Sequence, residues 1–461
     1  MATVTLLYPP QQTLAGHSSK PEASLAYPYL AGALLEAGHE VKIYDAYVGN
    51  DGDPEGVFDR KEELPSGLTR HGVSDERILD EIADSDVVGI TSIFTAQETM
   101  ALRVCRLIKR VFPDKLVVAG GVNARSRYRK FCAAGCDAVC MSEGECYVLD
   151  VARNPGEYRN GLIPKQEVIV DLDELPMPAW ELHPNQRYWS IARPHGASKP
   201  SPFRYAAMMT SRGCVFRCKY CHISTGGDIA DFRTKSLFRI ERELEKLKSL
   251  GVEHLYVEDD TLFGDKARGI AVLKHMRSFG FRLWGINGIN LVHLFRKIQS
   301  TEKWEPDTEV LNLLAECQFE AITLPVESAS QRIIDDYASR KWRISRLDVS
   351  SLIHELASRG IASGVNYMIG YPDETKEEIE ATIEMAREHR AAGASSANFM
   401  LVVPFPGTRL HGEAIFRGYL DSNFNPDTFS WRRANMKNTA VPPEELERIR
   451  DAAYAELNGG V

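Results

Sequence analysis

The 461-residue chain has no apolar run as long as the roughly 18 residues that span a bilayer. Its N-terminus, MATVTLLYPP, has neither the charged region nor the cleavage site of a secretory leader. The expectation is a cytoplasmic protein with no membrane partner. A basic excess is also missing. The 55 Lys and Arg stand against 64 Asp and Glu, a formal net charge of -9, whereas phosphate backbones favour basic surfaces. A nucleic-acid partner is therefore not expected. With 44% hydrophobic and 26% charged residues the composition is that of an ordinary globular protein, and the length suits two or three domains. In such a compartment nine cysteines serve as thiols or metal ligands better than as disulfides.

Three of these cysteines are grouped. Residues 211–224 read SRGCVFRCKYCHIS and place Cys214, Cys218 and Cys221 in a C-x3-C-x2-C array, after an apolar run at 205–209 that reads as a strand. Three thiolates on one short loop suit three corners of an iron–sulfur cluster. A zinc knuckle would need a fourth ligand, for which His222 is the one close residue. With Tyr220 directly before the third cysteine, the array resembles that of the radical S-adenosylmethionine (SAM) superfamily. The resemblance implies a 4Fe-4S cluster on the three cysteines, with SAM bound to the iron they leave open.

Before this loop the chain alternates. Apolar runs at 3–8, 41–44, 87–94, 116–121 and 138–141 read as strands. Helical spacing is found at 25–37, 75–83, 97–112 and 125–134, with a polar excursion at 49–72. This rhythm predicts a doubly wound parallel sheet, which takes ligands beyond the strand C-terminal ends. Those ends carry Pro9 and Pro10; Thr91 and Ser92, with Phe94 following; Gly120 and Gly121; and Glu143, Gly144 and Glu145. The runs GITS, AGG and SEGE stand where cobalamin-dependent radical SAM enzymes place their corrin contacts. By that resemblance residues 1–160 are a flavodoxin/Rossmann-like cobalamin-binding domain. No D-x-H-x-x-G run supplies a histidine to the cobalt, and His17, His39 and His71 are expected on the surface. Cys132, Cys136, Cys140 and Cys146 match no ferredoxin spacing and read as buried thiols.

Residues 161–202 read as a linker, in which Trp180 packs at a domain interface or near the corrin. Over 203–403, six strand–helix units are expected. The resemblance implies a partial (β/α)6 barrel with its chemistry at the strand C-terminal mouth. There Glu258 and Asp259 fall in an acidic run that suits either the SAM amino group or a helix start. Glu327 and Ser328 resemble the E-S-x-S segment. Asn366 is an amide inside an apolar strand, and Pro404 opens a P-x-P-G-T run. With Tyr220, these are the implied SAM contacts. Glu374 and Thr375 read as helix-start residues, and Arg233 suits either the cluster or the surface. Residues 404–461 are a short, partly helical extension expected to cover an open side of the barrel.

The resemblance implies an α/β enzyme that methylates an unactivated carbon of a small molecule. A 5′-deoxyadenosyl radical and a methyl-carrying cobalamin would be used, with one 5′-deoxyadenosine and one S-adenosylhomocysteine formed per methylation. A flavodoxin or ferredoxin is the implied electron donor. Cyclisation, ring contraction or atom insertion by the same cofactors stays open. A methylthiotransferase fits less well, because the early cysteines are irregularly spaced and the tail is short and acidic.

Overall fold

The computed structural model describes residues 1–14, 21, 23–159, 168–194, 202–225, 231–298 and 303–459. The chain folds as two compact units. One is Met1–Ala206 with Ser249–Gly251; the other is Ala207–Lys248 with Val252–Val461.

The first unit is built on five strands: β1 (Thr3–Tyr8), β2 (Glu40–Asp45), β3 (Val87–Thr91), β4 (Leu116–Gly120) and β5 (Ala138–Val139). They lie in the order β2-β1-β3-β4-β5 and every pair is parallel. β1 is buried from Val4 onward, as a strand covered by helices on both faces must be. The order reverses between β1 and β3, so the crevice beyond this switch point is flanked by Pro9 on one side and Ser92 on the other.

Two expectations change here. The polar excursion contributes Lys61–Glu63 and Leu68–His71, which join Gln11–Leu14 in a three-stranded antiparallel sheet. Its strands are too short and polar to show a period. The expected helix at 125–134 is two, Val122–Ser126 and Tyr128–Ala133, broken at Arg127. Arg127 leaves helical geometry while its guanidinium pairs with buried Glu98 at 3.0 Å.

The second unit carries β6 (Tyr205–Met208), β7 (His254–Val257), β8 (Arg282–Gly285), β9 (Phe319–Glu327), β10 (Ala362–Ile369) and β11 (Ser396–Leu401). They form one six-stranded sheet in sequential order, and the pairs from β7 to β11 are parallel. β11 is an edge, and the tail covers it. Asn458, ending the helix Pro443–Asn458, accepts from Ala397 N at 3.0 Å and donates to Ala397 O at 2.8 Å. Arg450 Nε donates to Phe399 O at 3.2 Å, and Leu401 N donates to Trp431 O at 2.8 Å. The edge thus meets side chains and a loop instead of another strand. No described helix is long and apolar enough to cross a membrane.

Candidate functional site

The cysteine loop leaves β6 and is braced on both flanks. On one side stands Asp259, 3% exposed. Its carboxylate accepts from Thr210 N at 3.0 Å, from Thr210 Oγ1 at 2.7 Å and from the Ser211 hydroxyl. Arg268 donates to the Thr210 hydroxyl at 2.9 Å and to its carbonyl. Asp260 Oδ2 accepts from Gly213 N at 3.0 Å, and the Thr261 hydroxyl donates to Cys214 Sγ at 2.8 Å. On the other side Lys219 N donates to Tyr337 O at 2.9 Å and Arg217 N to Ser339 Oγ at 3.0 Å. Leu410 N donates to Lys219 O at 3.0 Å. A ring nitrogen of His222 lies 3.1 Å from Pro406 O, and its ring packs on Phe405. Within the loop the Ser224 hydroxyl lies 2.7 Å from the carbonyls of both Cys218 and Cys221, which share its one hydrogen.

Burial pushes Cys221 up to about 12, with Cys218 and Cys214 adding to the rise, and raises Cys218, to which Cys214 adds. Such thiols surrender their protons when a metal arrives. Among the described residues no three His, Cys, Asp or Glu converge on a single ion position. Cluster thiolates need no such convergence, since each binds a different iron. His222 faces a carbonyl instead of completing a zinc set.

Beside the loop, β9 ends in Glu327, a non-glycine residue at φ 71°. Its carboxylate pairs with the Lys341 ammonium, and both side chains are nearly sealed, 6% and 7% exposed. Burial alone would lower Lys341, but Glu327 with the Cys218 and Cys221 thiols holds it above the usual lysine range. Lys341 follows two further left-handed residues, Ser339 and Arg340. The buried Tyr220 hydroxyl faces Glu327 and Cys218. Strained, mutually constrained backbone of this kind gathers at functional sites.

The other implied SAM residues divide. Ser328 is committed to structure: its hydroxyl lies 3.3 Å from Thr382 Oγ1 and accepts from Ser330 N at 3.0 Å. Asp259, with both oxygens engaged, holds the loop. Glu258 is half-buried beside it. Asn366 Oδ1 accepts from Asn398 Nδ2 at 3.1 Å, one polar rung between β10 and β11. Pro404 is buried at the start of the segment that meets His222. Thr375 caps the helix Lys376–Ala391 as expected, whereas Glu374, buried, turns back to hold the preceding turn, its Oε2 accepting from Gly370 N at 2.7 Å and Tyr371 N at 3.2 Å. Arg233 pairs with Arg212 in a short antiparallel ladder.

At the first sheet's C-terminal edge, Ser92 O accepts from Asn123 N and Ala124 N at 3.1 and 3.2 Å. Gly121, at φ 97°, makes this approach possible: a Cβ there would stand 2.5 Å from Ser92 O. Thr91 and Ser92 are buried, as are Pro9 and Pro10, while Phe94 is 41% exposed. Gln97 Nε2 donates to the Tyr8 hydroxyl at 2.9 Å, and Gln97 Oε1 accepts from Ile93 N at 3.0 Å, joining the ends of β1 and β3. Glu143 accepts from Ile169 N at 2.7 Å, and Glu145 is buried. Gly144 serves packing, since a Cβ there would meet Leu30 at 2.8 Å.

Three expectations about this unit change or fall away. His39 and His71 are buried: His39 Nδ1 accepts from Ala2 N at 3.2 Å, and His71 Nε2 lies 3.0 Å from Thr13 Oγ1. His17 lies outside the described residues. Trp180 packs on Tyr29 inside the first unit.

The B12 binding domain model matches residues 13–151, and the Radical SAM superfamily model matches residues 208–386. Cytidylyl-2-hydroxyethylphosphonate methyltransferase of Streptomyces wedmorensis is 26% identical over 90% of this chain and 82% of its own length. Two solved structures share the fold. OxsB, a cobalamin-dependent SAM radical enzyme, has a TM-score of 0.68 at 13% identity over 98% of this chain and 66% of its own. TsrM, a radical SAM methyltransferase of Kitasatospora setae, has a TM-score of 0.63 at 17% identity over 90% and 75%. The chain carries the two domains found together in cobalamin-dependent radical SAM enzymes.

The residues present fit the groups such an enzyme uses. For the cluster there are three neighbouring thiols, with N–H and O–H donors on the Cys214 sulfur from Phe216 at 3.4 Å and Thr261. For cobalamin, rich in amides, the first sheet's edge offers buried polar atoms without partners: Ser24 Oγ, Thr95 Oγ1 and Asn123 Oδ1. Lys341 and Thr261 escaped sequence reading. Thr261 directly follows the acidic run, but nothing local marks Lys341.

Proposed function

We propose that this radical SAM enzyme is a cytoplasmic methylase that places a methyl group on an unactivated carbon of a small molecule. Its reductant would be a protein carrier such as flavodoxin or ferredoxin. The reading is carried by a conjunction: a braced three-thiol loop with no fourth protein ligand among the described residues, on a chain that also carries a corrin-type sheet edge. The name of the Streptomyces wedmorensis relative supports methyl transfer, and the Kitasatospora setae neighbour has been solved with tryptophan as its substrate.

When bound, the cluster and SAM supply a hydrogen-abstracting radical and cobalamin supplies a methyl carrier. Cys214, Cys218 and Cys221 would hold the cluster, with Thr261 donating to Cys214 Sγ. Asp259 fixes the loop's first residues through three hydrogen bonds. Glu327, Tyr220, Glu258, Asn366 and Pro404 line the candidate SAM contacts, with Lys341 holding the Glu327 carboxylate in place. The rings of Tyr220, Tyr371 and Tyr337, in a row with centroids 6.1 and 4.6 Å apart, keep water from this flank. Pro9, Pro10, Thr91, Ser92, Phe94, Gly120, Gly121, Glu143, Gly144 and Glu145 surround the candidate cobalamin face. His39 and His71 are both engaged elsewhere, so the cobalt's lower face would receive no histidine from either.

The test is anaerobic turnover of reconstituted protein with candidate small molecules. Methylation yields one 5′-deoxyadenosine and one S-adenosylhomocysteine per product. Formation of 5′-deoxyadenosine alone would point to cyclisation or another non-methylating outcome, and formation of neither would sink the reading.

A further inference from the structure

Arg125 stands in the helix Val122–Ser126, just beyond the Gly121 turn at the C-terminal edge of β4. It is half-buried beside Cys140, and burial pulls its guanidinium below the usual arginine range. Among the described residues it has no ion pair and no side-chain hydrogen bond. Other desolvated arginines are matched: Arg70 pairs with Glu62 and Asp75, Arg127 with Glu98, and Arg268 grips Thr210. Two further polar groups, one beside Cys140 and one two residues before Arg125, are also unmet. The Tyr147 hydroxyl, on a residue 8% exposed and also within reach of Cys140, has no partner, and neither has Asn123 Oδ1, on a residue with no exposure.

A desolvated guanidinium without a counter-charge is costly to the protein alone and becomes favourable once an anion arrives. It selects phosphate or carboxylate, which it binds through two parallel N–H groups. The corrin ring of cobalamin carries neutral amides, and its one anionic group is the phosphodiester of the nucleotide arm. We infer that Arg125 binds the nucleotide-arm phosphate of cobalamin and so selects complete cobalamin over corrinoids that lack the arm. The inference rests on the cobalamin reading of the first unit.

The full chain is titrated with hydroxocobalamin and with cobinamide, the same corrin without phosphate or nucleotide, and binding is followed by absorbance. Wild-type protein should prefer cobalamin by about tenfold or more, the scale of a charge-assisted hydrogen bond. Arg125→Met should lose most of that preference while binding cobinamide as before, which also shows that the variant is folded. Arg125→Lys should keep part of it. Equal weakening of both ligands, no weakening, or a wild type that does not distinguish them would overturn the inference. Binding of neither corrinoid by the wild type would overturn the cobalamin reading itself, and this inference with it.

Discussion

Lys341 and Glu327 form an ion pair whose side chains are only 7% and 6% exposed, and the lysine faces the thiols of Cys218 and Cys221. Removing one member leaves the other charge buried alone. Lys341→Met should therefore cost about 3–5 kcal/mol of folding stability. The double variant with Glu327→Gln should recover most of it. Denaturant unfolding of the four proteins of the cycle measures the coupling. Equal stability of the single and double variants would show that the pair does not act as a unit.

Gly121 and Gly120 are adjacent but not equivalent. Gly121→Ala forces a left-handed conformation and drives a methyl group into Ser92 O, at a cost of about 1–3 kcal/mol from the backbone alone. Gly120→Ala sets its methyl 3.8 Å from the Cys140 Cβ and should be tolerated. Melting temperatures of the two variants, compared side by side, check the difference.

His389 is buried against the Tyr367 hydroxyl at 2.7 Å, and burial lowers it to about 4 from an ordinary 6.5. The unfolded chain therefore takes up this proton at a higher pH than the folded one. The stability linked to His389 is complete above pH 6.5 and is lost as pH falls toward about 4, to a limit of about 3 kcal/mol. His389→Gln should flatten that part of the stability–pH curve relative to wild type. Parallel curves over pH 4 to 6.5 would contradict it.

Asn458 gives the β11 edge a donor and an acceptor at Ala397. Asn458→Ala should cost about 1–3 kcal/mol, since two buried backbone groups lose their partners. Removing the whole helix Pro443–Asn458 should also bring on concentration-dependent self-association, measurable by sedimentation, because an exposed strand edge pairs with another chain.

The eleven strands of the two large sheets were legible because parallel strands buried on both faces are written as largely apolar runs, as at Val87–Thr91 and Leu116–Gly120. The small antiparallel pairings were not. Gln11–Leu14 finds its partner at Leu68–His71, and neither strand carries a period long enough to read. The cysteine loop announced itself through spacing alone. Asp259 was legible as a strand-end acid, but its engagement with Thr210 and Ser211 depends on β6 and β7 lying side by side, which local sequence does not state. Lys341 was invisible for a similar reason. Its reach to Glu327 depends on left-handed turns at Ser339 and Arg340, where nothing in the residue types calls for positive φ.

The grip of Asp259 on Thr210 and Ser211, with the Lys219 and Leu410 contacts opposite, bears on the order of assembly. Every one of these bonds joins protein groups other than the three thiols. In small zinc modules the metal is itself the folding energy, and a chelator unfolds them. Because the loop is braced through groups other than its thiols, stripping the cluster from reconstituted protein with a chelator should leave the chain folded, an outcome that far-ultraviolet circular dichroism reads.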